Sequence, residues 1–376
     1  MDRFKKQRGL KSARNAELLQ TILRGIGFGS TEFHVLRAKQ GVEPRFVFHL
    51  TQGRRFRQAA ERQMVGSAGQ KRVQRQFFDE FLVKDFHQSE QRAIAQVLDS
   101  LDTTIRETEA LIGKLKAVKQ GLLQDLLTRG IDANGELRPP QSEAPQLYKE
   151  SPLGWIPREW EEVTLGEISS RAGGLLQTGP FGSQLHAHEY VADGIPVIMP
   201  QDMVNSELSI ESIARITLRK AVVLSRHRVR PNDLVFSRRG DLSRCVAIED
   251  THEGWLCGTG CLLARLPAGE INGYWLSLVY QQPGVQSQVM GRAVGSTMAN
   301  LNTSILAAIT IARPNIAEQD EIARRLKSVG QRIAGEERLL AKMKLEKSGL
   351  MDDLLTGRVR VTQLLESTQP AAQTGA

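Results

Sequence analysis

Two adjacent arginines, Arg238 and Arg239, close the β-rich run Asp233-Leu-Val-Phe-Ser237 and are followed by Gly240. Two guanidinium groups at one strand end do not bury comfortably together, so contact with phosphates or base edges is the chemistry they offer. They belong to a basic arc of Arg215, Arg219, Lys220, Arg226, Arg228, Arg230, Arg238, Arg239 and Arg244, opposed locally only by Asp233 and Asp241. Such an excess is the footprint of a phosphate-backbone partner, because neutralising phosphates releases condensed counterions. A solvated basic surface accounts for the same charges. Covalent and metal chemistry find less to use. Cys257-x-x-x-Cys261 with His252 upstream falls short of the four ligands of a structural zinc site, so Cys245, Cys257 and Cys261 are expected as buried thiols. His186 and His188 are expected at the surface, and Asp79-Glu80 with Lys84 reads as the flank of a helix or strand. The sequence holds no Asn-Pro-Pro-Tyr-like tetrapeptide and no Walker loop. The expectation is a non-catalytic chain with no cofactor.

The elements that carry these residues are organised by an internal repeat. Glu90-Gln-Arg-Ala-Ile-Ala95 recurs as Glu318-Gln-Asp-Glu-Ile-Ala323, and the match continues without a gap to Gly121-Leu-Leu-Gln-Asp-Leu-Leu-Thr128 against Gly349-Leu-Met-Asp-Asp-Leu-Leu-Thr356. In the first copy Ile94, Leu98, Leu101, Ile105, Thr108, Ile112, Leu115, Lys119, Leu122 and Leu126 step alternately by four and three, and the second copy repeats the steps from Ile322 to Leu354. That is the seam of a coiled coil. Both copies place a polar residue at the same two seam positions, Thr108 or Glu336 and Lys119 or Lys347; these cost stability and set register. Each helix should run roughly 55 to 60 Å at 1.5 Å per residue. Packing one against the other hides both stripes. Asn315-x-x-Glu318 resembles a capping box, and Gly130 and Gly357 sit where the helices should stop.

Upstream the similarity is weaker: residues 31–37 resemble 259–265, and Gly66-Ser-Ala68 lies near Gly295-Ser-Thr297. The second copy has about another hundred residues before that point, back to Leu153-Gly-Trp-Ile-Pro157, which the first copy lacks. Residues 131–152, with Pro139-Pro140, read as an exposed linker, and residues 360–376 as a disordered tail. Between 153 and 316 short β-rich runs (Ile195–Met199, Asp233–Ser237, Cys245–Ile248, Cys261–Leu266) alternate with turn formers. Helices are expected over Tyr274–Tyr280 and Gly284–Met290. The turn Gly179-Pro-Phe-Gly182 reads as a tight strand connection with Phe181 in the core.

The 376 residues suffice for two or three domains; 40% hydrophobic and 24% charged residues describe a soluble chain. The net charge of +8 is uneven: residues 1–76 carry Lys and Arg far in excess of Asp2, Glu17, Glu32, Glu43 and Glu61. No apolar run is long enough to cross a bilayer and the start is polar, so a cytoplasmic protein without membrane contact is expected.

The order of motifs is specific as a set. Leu153-Gly-Trp-Ile-Pro157 with Trp160 is followed by Thr178-Gly-Pro-Phe-Gly-Ser183, Gly194-Ile-Pro-Val-Ile198, Asp233–Gly240, Glu318-Gln319 and Leu354-Leu-Thr-Gly357. It resembles the target recognition domain plus conserved helix of type I restriction-modification specificity subunits, from about residue 28 onward. The resemblance implies an α+β fold: mainly β target recognition domains joined by two long conserved helices that form an antiparallel coiled coil. It divides the chain into an unassigned basic segment (1–27), a partial, N-terminally truncated first recognition domain (28–88), a first conserved helix (89–130), the linker (131–152), a complete recognition domain (153–316), a second conserved helix (317–359) and the tail. It implies sequence-specific binding of double-stranded DNA at a bipartite site, with type I methyltransferase (modification) subunits and a restriction motor-nuclease subunit as partners. A truncated subunit acting only as a coiled-coil scaffold is the alternative. Reading DNA needs donors and acceptors for base edges and cations for phosphates. On that basis Gln177, Thr178, Ser183, Gln201, Asp202, Arg226, Arg228, Arg238, Arg239, Ser243, Ser296, Thr297 and Asn300 are the expected DNA-binding residues.

Overall fold

A computed structural model describes residues 34–66, 71–171, 174–204, 206–293 and 300–361. The segment 1–27, Ser296, Thr297 and the chain beyond 361 lie outside the described residues. Contacts divide the chain into two compact units, one built from residues up to 114 together with those from 333, the other from residues 115–332.

The described part of the first unit includes helices α1 (Pro44–Gln52) and α2 (Arg54–Arg62), the antiparallel pair β1 (Met64–Val65) and β2 (Arg72–Val73), and helix α3 (Arg75–Glu80). Pro44 suits the first turn of α1, where its missing N–H is not needed, and the Glu43 side chain caps it. Phe56 packs edge-on against Phe77 and Phe81, with ring centroids 5.3 and 5.0 Å apart. The long helix α4 (Gln88–Thr128) then begins. The mainly β character expected of residues 28–88 is not what the described part shows: its strands are two residues long and helices dominate. The reason is that it matches residues 262 onward of the complete unit, where helices outnumber strands.

In the second unit the segment after α4 is docked, not the exposed linker expected. Ile131 bridges Leu137, the Tyr148 hydroxyl donates to the Pro139 carbonyl (2.6 Å), and β3 (Tyr148–Ser151) pairs with β4 (Gly154–Pro157). β5 (Glu161–Thr164) leads into α5 (Leu165–Ser170) through a reciprocal Thr164–Glu167 capping box. There follow β6 (Leu175–Thr178), β7 (Tyr190–Val191), β8 (Ile195–Ile198), the hairpin β9 (Met203–Val204) and β10 (Glu207–Leu208), and β11 (Ala214–Ile216). Helix α6 (Leu218–Val223) precedes β12 (Leu234–Ser237), β13 (Cys245–Ala247), β14 (Leu256–Cys257) and β15 (Cys261–Arg265). Then come α7 (Gly273–Tyr280), α8 (Pro283–Ala293), α9 (Thr303–Ala307), β16 (Thr310–Arg313) and the second long helix, α10 (Ile316–Leu354).

Two four-stranded sheets result, ordered β13-β12-β15-β6 and β14-β8-β11-β7. Leu234, Phe236, Leu262 and Ala264 join a core with Trp275, Leu276 and Tyr280, whereas Val235, Cys261 and Leu263 join Ile198, Met203 and Val229. Both faces of β12 and β15 are thus covered, which explains their unbroken apolar runs. The three cysteines are buried free thiols, and burial pushes Cys245 and Cys261 well above the usual thiol range.

Each unit holds an ion pair between the start of one long helix and the residues after the other. In the second, Glu318 accepts from Arg138 (2.5 Å), the Ile131 amide (2.9 Å) and the Trp160 indole (3.2 Å). In the first, buried Glu90 accepts from Arg360 (2.5 Å). The expected capping box at Asn315 is therefore half made: Asn315 accepts from the Glu318 amide (3.0 Å), but the Glu318 carboxylate is turned to Arg138. Within the first unit Ile94 and Leu98 pack with Met351, Leu354 and Leu355, Lys344 bonds Glu109 (2.7 Å), and the seam residue Lys347 bonds Asp102. Within the second, Leu126 and Leu127 pack with Ile322 and Leu326.

Candidate nucleic-acid interface

Strand register brings distant loops to one end of the β13-β12-β15-β6 sheet. Ser237 pairs with Cys261 and Leu262 with Thr178, so the ends of β12 and β6 lie beside the start of β15. Residues 179–185, 238–244 and 258–260 leave the sheet there, and Asn300 joins them by a bridge to Arg239. Two of these loops touch through glycines: a Cβ at Gly179 would lie 2.0 Å from the Gly258 carbonyl oxygen. Gly240 turns the third at φ +76, where a side chain would be strained.

The loop 238–244 is braced from within. Arg238 donates its amide to the Gly260 carbonyl (2.8 Å), accepts from the Leu301 amide (3.0 Å), and holds the Asn300 side-chain oxygen with Nε (3.2 Å). Asp241 accepts from the Ser243 hydroxyl (2.5 Å) and amide (3.0 Å), and from Arg244 (3.3 Å). The Ser243 bond foremost holds the Asp241 carboxyl below its ordinary range. Arg244 also donates to the Pro200 carbonyl (2.9 Å), which ties exposed Gln201 to the same end. Arg239 is exposed, and no protein group among the described residues engages its guanidinium.

Of the residues expected from sequence, Thr178, Ser183, Gln201, Arg238, Arg239, Ser243 and Asn300 meet at this end. Arg226 is exposed close by, its carbonyl accepting from the Gln177 side chain (2.6 Å). Two others are buried and a third is half-buried and anchored away from this end, correcting the expectation that they face DNA. Gln177 is buried in β6 by that same bond. Asp202 is 3% exposed and accepts from the Met199 amide (2.8 Å), with burial pushing its carboxyl up. Arg228 donates to the Gly254 carbonyl (2.9 Å) and accepts at its own carbonyl from Arg265, at the opposite sheet end where Arg265 pairs with Leu175. One candidate was missed. Phe181, expected in the core, is 56% exposed at the tip of the 179–185 loop, and Leu185 is buried instead. The flanking Gly179 and Gly182 were the signal: they permit a projecting turn as readily as a tight one. His186 and His188 are exposed, as expected, with their rings stacked 5.5 Å apart. No helix among the described residues is long and apolar enough to cross a membrane.

The second unit is thus a mixed sheet-and-helix domain with loops gathered at one arginine-bearing end and a long helix following it. Residues 157–345 match the family described as the type I restriction modification DNA specificity domain. That match covers half of the chain, and the chain belongs to this family. It is 21% identical over 279 residues to the type I restriction enzyme MjaVIII specificity subunit of Methanocaldococcus jannaschii, covering 73% of this chain and 61% of that protein. It is likewise 21% identical over 252 residues to the EcoBI specificity subunit of Escherichia coli, covering 64% of this chain and 50% of that one. The chain thus spans between half and two thirds of these relatives. The crystal structure of a type I restriction-modification S subunit from M. genitalium shares the fold, with a TM-score of 0.53 at 16% identity over 84% of this chain and 73% of that one.

Proposed function

We propose that this chain is a sequence-specific DNA-binding specificity subunit that directs type I methyltransferase and restriction subunits to a bipartite DNA site. The observation that carries the reading is the convergence of the 179–185 and 238–244 loops with Asn300 at one sheet end, where Arg239 is exposed. A loop cluster on a rigid sheet can enter a groove while cations neutralise the flanking phosphates. Asn300, Ser183, Gln201 and Ser243 then offer donors and acceptors to base edges, and Phe181 an apolar surface. The two long helices act as an antiparallel coiled-coil spacer. Their matched seams and the packing at the start and end of each support that role. The chemistry belongs to the partner subunits.

The reading is tested by gel shift with the chain assembled with type I modification subunits. Binding that prefers one duplex sequence over scrambled competitors is expected, and Arg239→Ala should weaken it about tenfold, the loss of a contact worth 1–3 kcal/mol. Binding indifferent to sequence, or unchanged in Arg239→Ala, would contradict the assignment.

A further inference from the structure

The internal repeat identifies a strand position in the first unit that no described residue fills. A constant shift of 228 residues, Glu90 to Glu318, carries α1 onto α7, α2 onto α8 and α3 onto α9. Side-chain bonding keeps the same register: Gln91 donates to the Phe86 carbonyl (2.8 Å) as Gln319 does to the Pro314 carbonyl (2.9 Å). By that shift residues 82–85 fall on β16, and residues 34–37 on the last four residues of β15. In the second unit β16 pairs along its length with β5, and β15 lies between β12 and β6. Among the described residues, segments 34–37 and 82–85 pair with no strand. Their side chains show the difference: Leu82 is 81% exposed, Val83 41%, Val35 78% and Leu36 44%, whereas Ile311 is 1% exposed and Leu263 and Ala264 are fully buried. Backbone left unpaired among the described residues, with bare apolar side chains, is a template for strand addition.

We infer that residues 82–85 are an acceptor edge for one β-strand of a second polypeptide that carries the front part of a recognition-type fold, added antiparallel as β5 is added to β16. The second unit also specifies the chemistry of that strand. There Val163 lies opposite Ile311, and Glu161 lies opposite Arg313, with which it forms an ion pair. The shifted positions hold Val83 and Asp85. The incoming strand therefore carries a β-branched residue opposite Val83 and, two residues earlier, a basic residue opposite Asp85. The inference stands apart from what the sheet-end loops bind.

The test adds a peptide of residues 159–171, in its own sequence and as Glu161→Lys, to the full chain and follows amide hydrogen exchange. Slowed exchange across 82–85 is expected, with no change at 310–313, where β5 already sits. The Glu161→Lys peptide should bind roughly two- to fivefold more tightly than the unmodified one, the range of an exposed ion pair. Val83→Asp, checked for unchanged helicity by circular dichroism, should abolish the effect. No slowing at saturating peptide, equal slowing in Val83→Asp, tighter binding of the unmodified peptide, or exchange at 82–85 already slow in the chain alone would each overturn the inference.

Discussion

Arg138 and Glu318 show how far a single residue governs this molecule. Each is 6% exposed, and the Glu318 carboxylate also serves the Ile131 amide and Trp160 indole. Removing one partner of a buried pair leaves an uncompensated charge, so Arg138→Met should cost about 3–5 kcal/mol in urea unfolding. His49 makes a second residue-scale prediction. It is buried beside Asp99 (2.7 Å), with Asp102, Arg45 and Lys347 around the site, and burial lowers its pKa from 6.5 against the pull of Asp99. Since a carboxylate only accepts, Nε2 carries the proton, and Nδ1, 3.9 Å from Asp102, makes no hydrogen bond among the described residues. With the folded pKa below the unfolded one, the unfolded chain binds more protons between the two values. Stability of the first unit should therefore be full above about pH 6.5 and fall as pH drops toward the lowered value. His49→Gln should flatten that slope in denaturation measured from pH 5 to 8.

At the scale of elements, the helix ends carry the clearest instruction. Gly130 and Gly357 adopt φ of +61 and +67, as the stops of two matched helices should. A Cβ at Gly130 would fall 2.1 Å from Glu318 Oε1 and 2.5 Å from Trp160 Cζ2. Gly130→Ala is expected to destabilise by at least about 2 kcal/mol, combining strain at positive φ with disruption of the ion pair, as read by thermal unfolding. The long helices were legible because heptad spacing is periodic and local. The strands at Asp233–Ser237 and Cys261–Leu266 were legible as apolar runs, observed as Leu234–Ser237 and Cys261–Arg265. What could not be read was decided by partners distant in sequence. Pro139 and Pro140 look like a spacer until Glu318 draws Arg138 inward, and Asp202 looks like a surface acceptor until the Met199 amide claims it. The candidate site was half legible for the same reason: Arg239 announces itself by charge, but only register shows that Thr178 and Asn300 stand beside it.

At the scale of the whole molecule the account assigns recognition to one sheet end and spacing to the helices. Phosphate contacts are counted by salt: each cation removed from the interface should lower the slope of log K against log salt by about one. Arg239→Ala should do so, and Arg228→Ala should not, because Arg228 is held at the opposite end of the sheet. The most direct measurement of the central claim is selection of bound duplexes from a randomised DNA pool by the chain assembled with type I modification subunits, repeated with Arg239→Ala and with Asn300→Ala. An enriched motif is predicted with the unaltered chain, and the positions read by residues 157–313 should be blurred or lost in both variants. A motif identical in all three proteins, or no enriched motif with the unaltered chain, would contradict it.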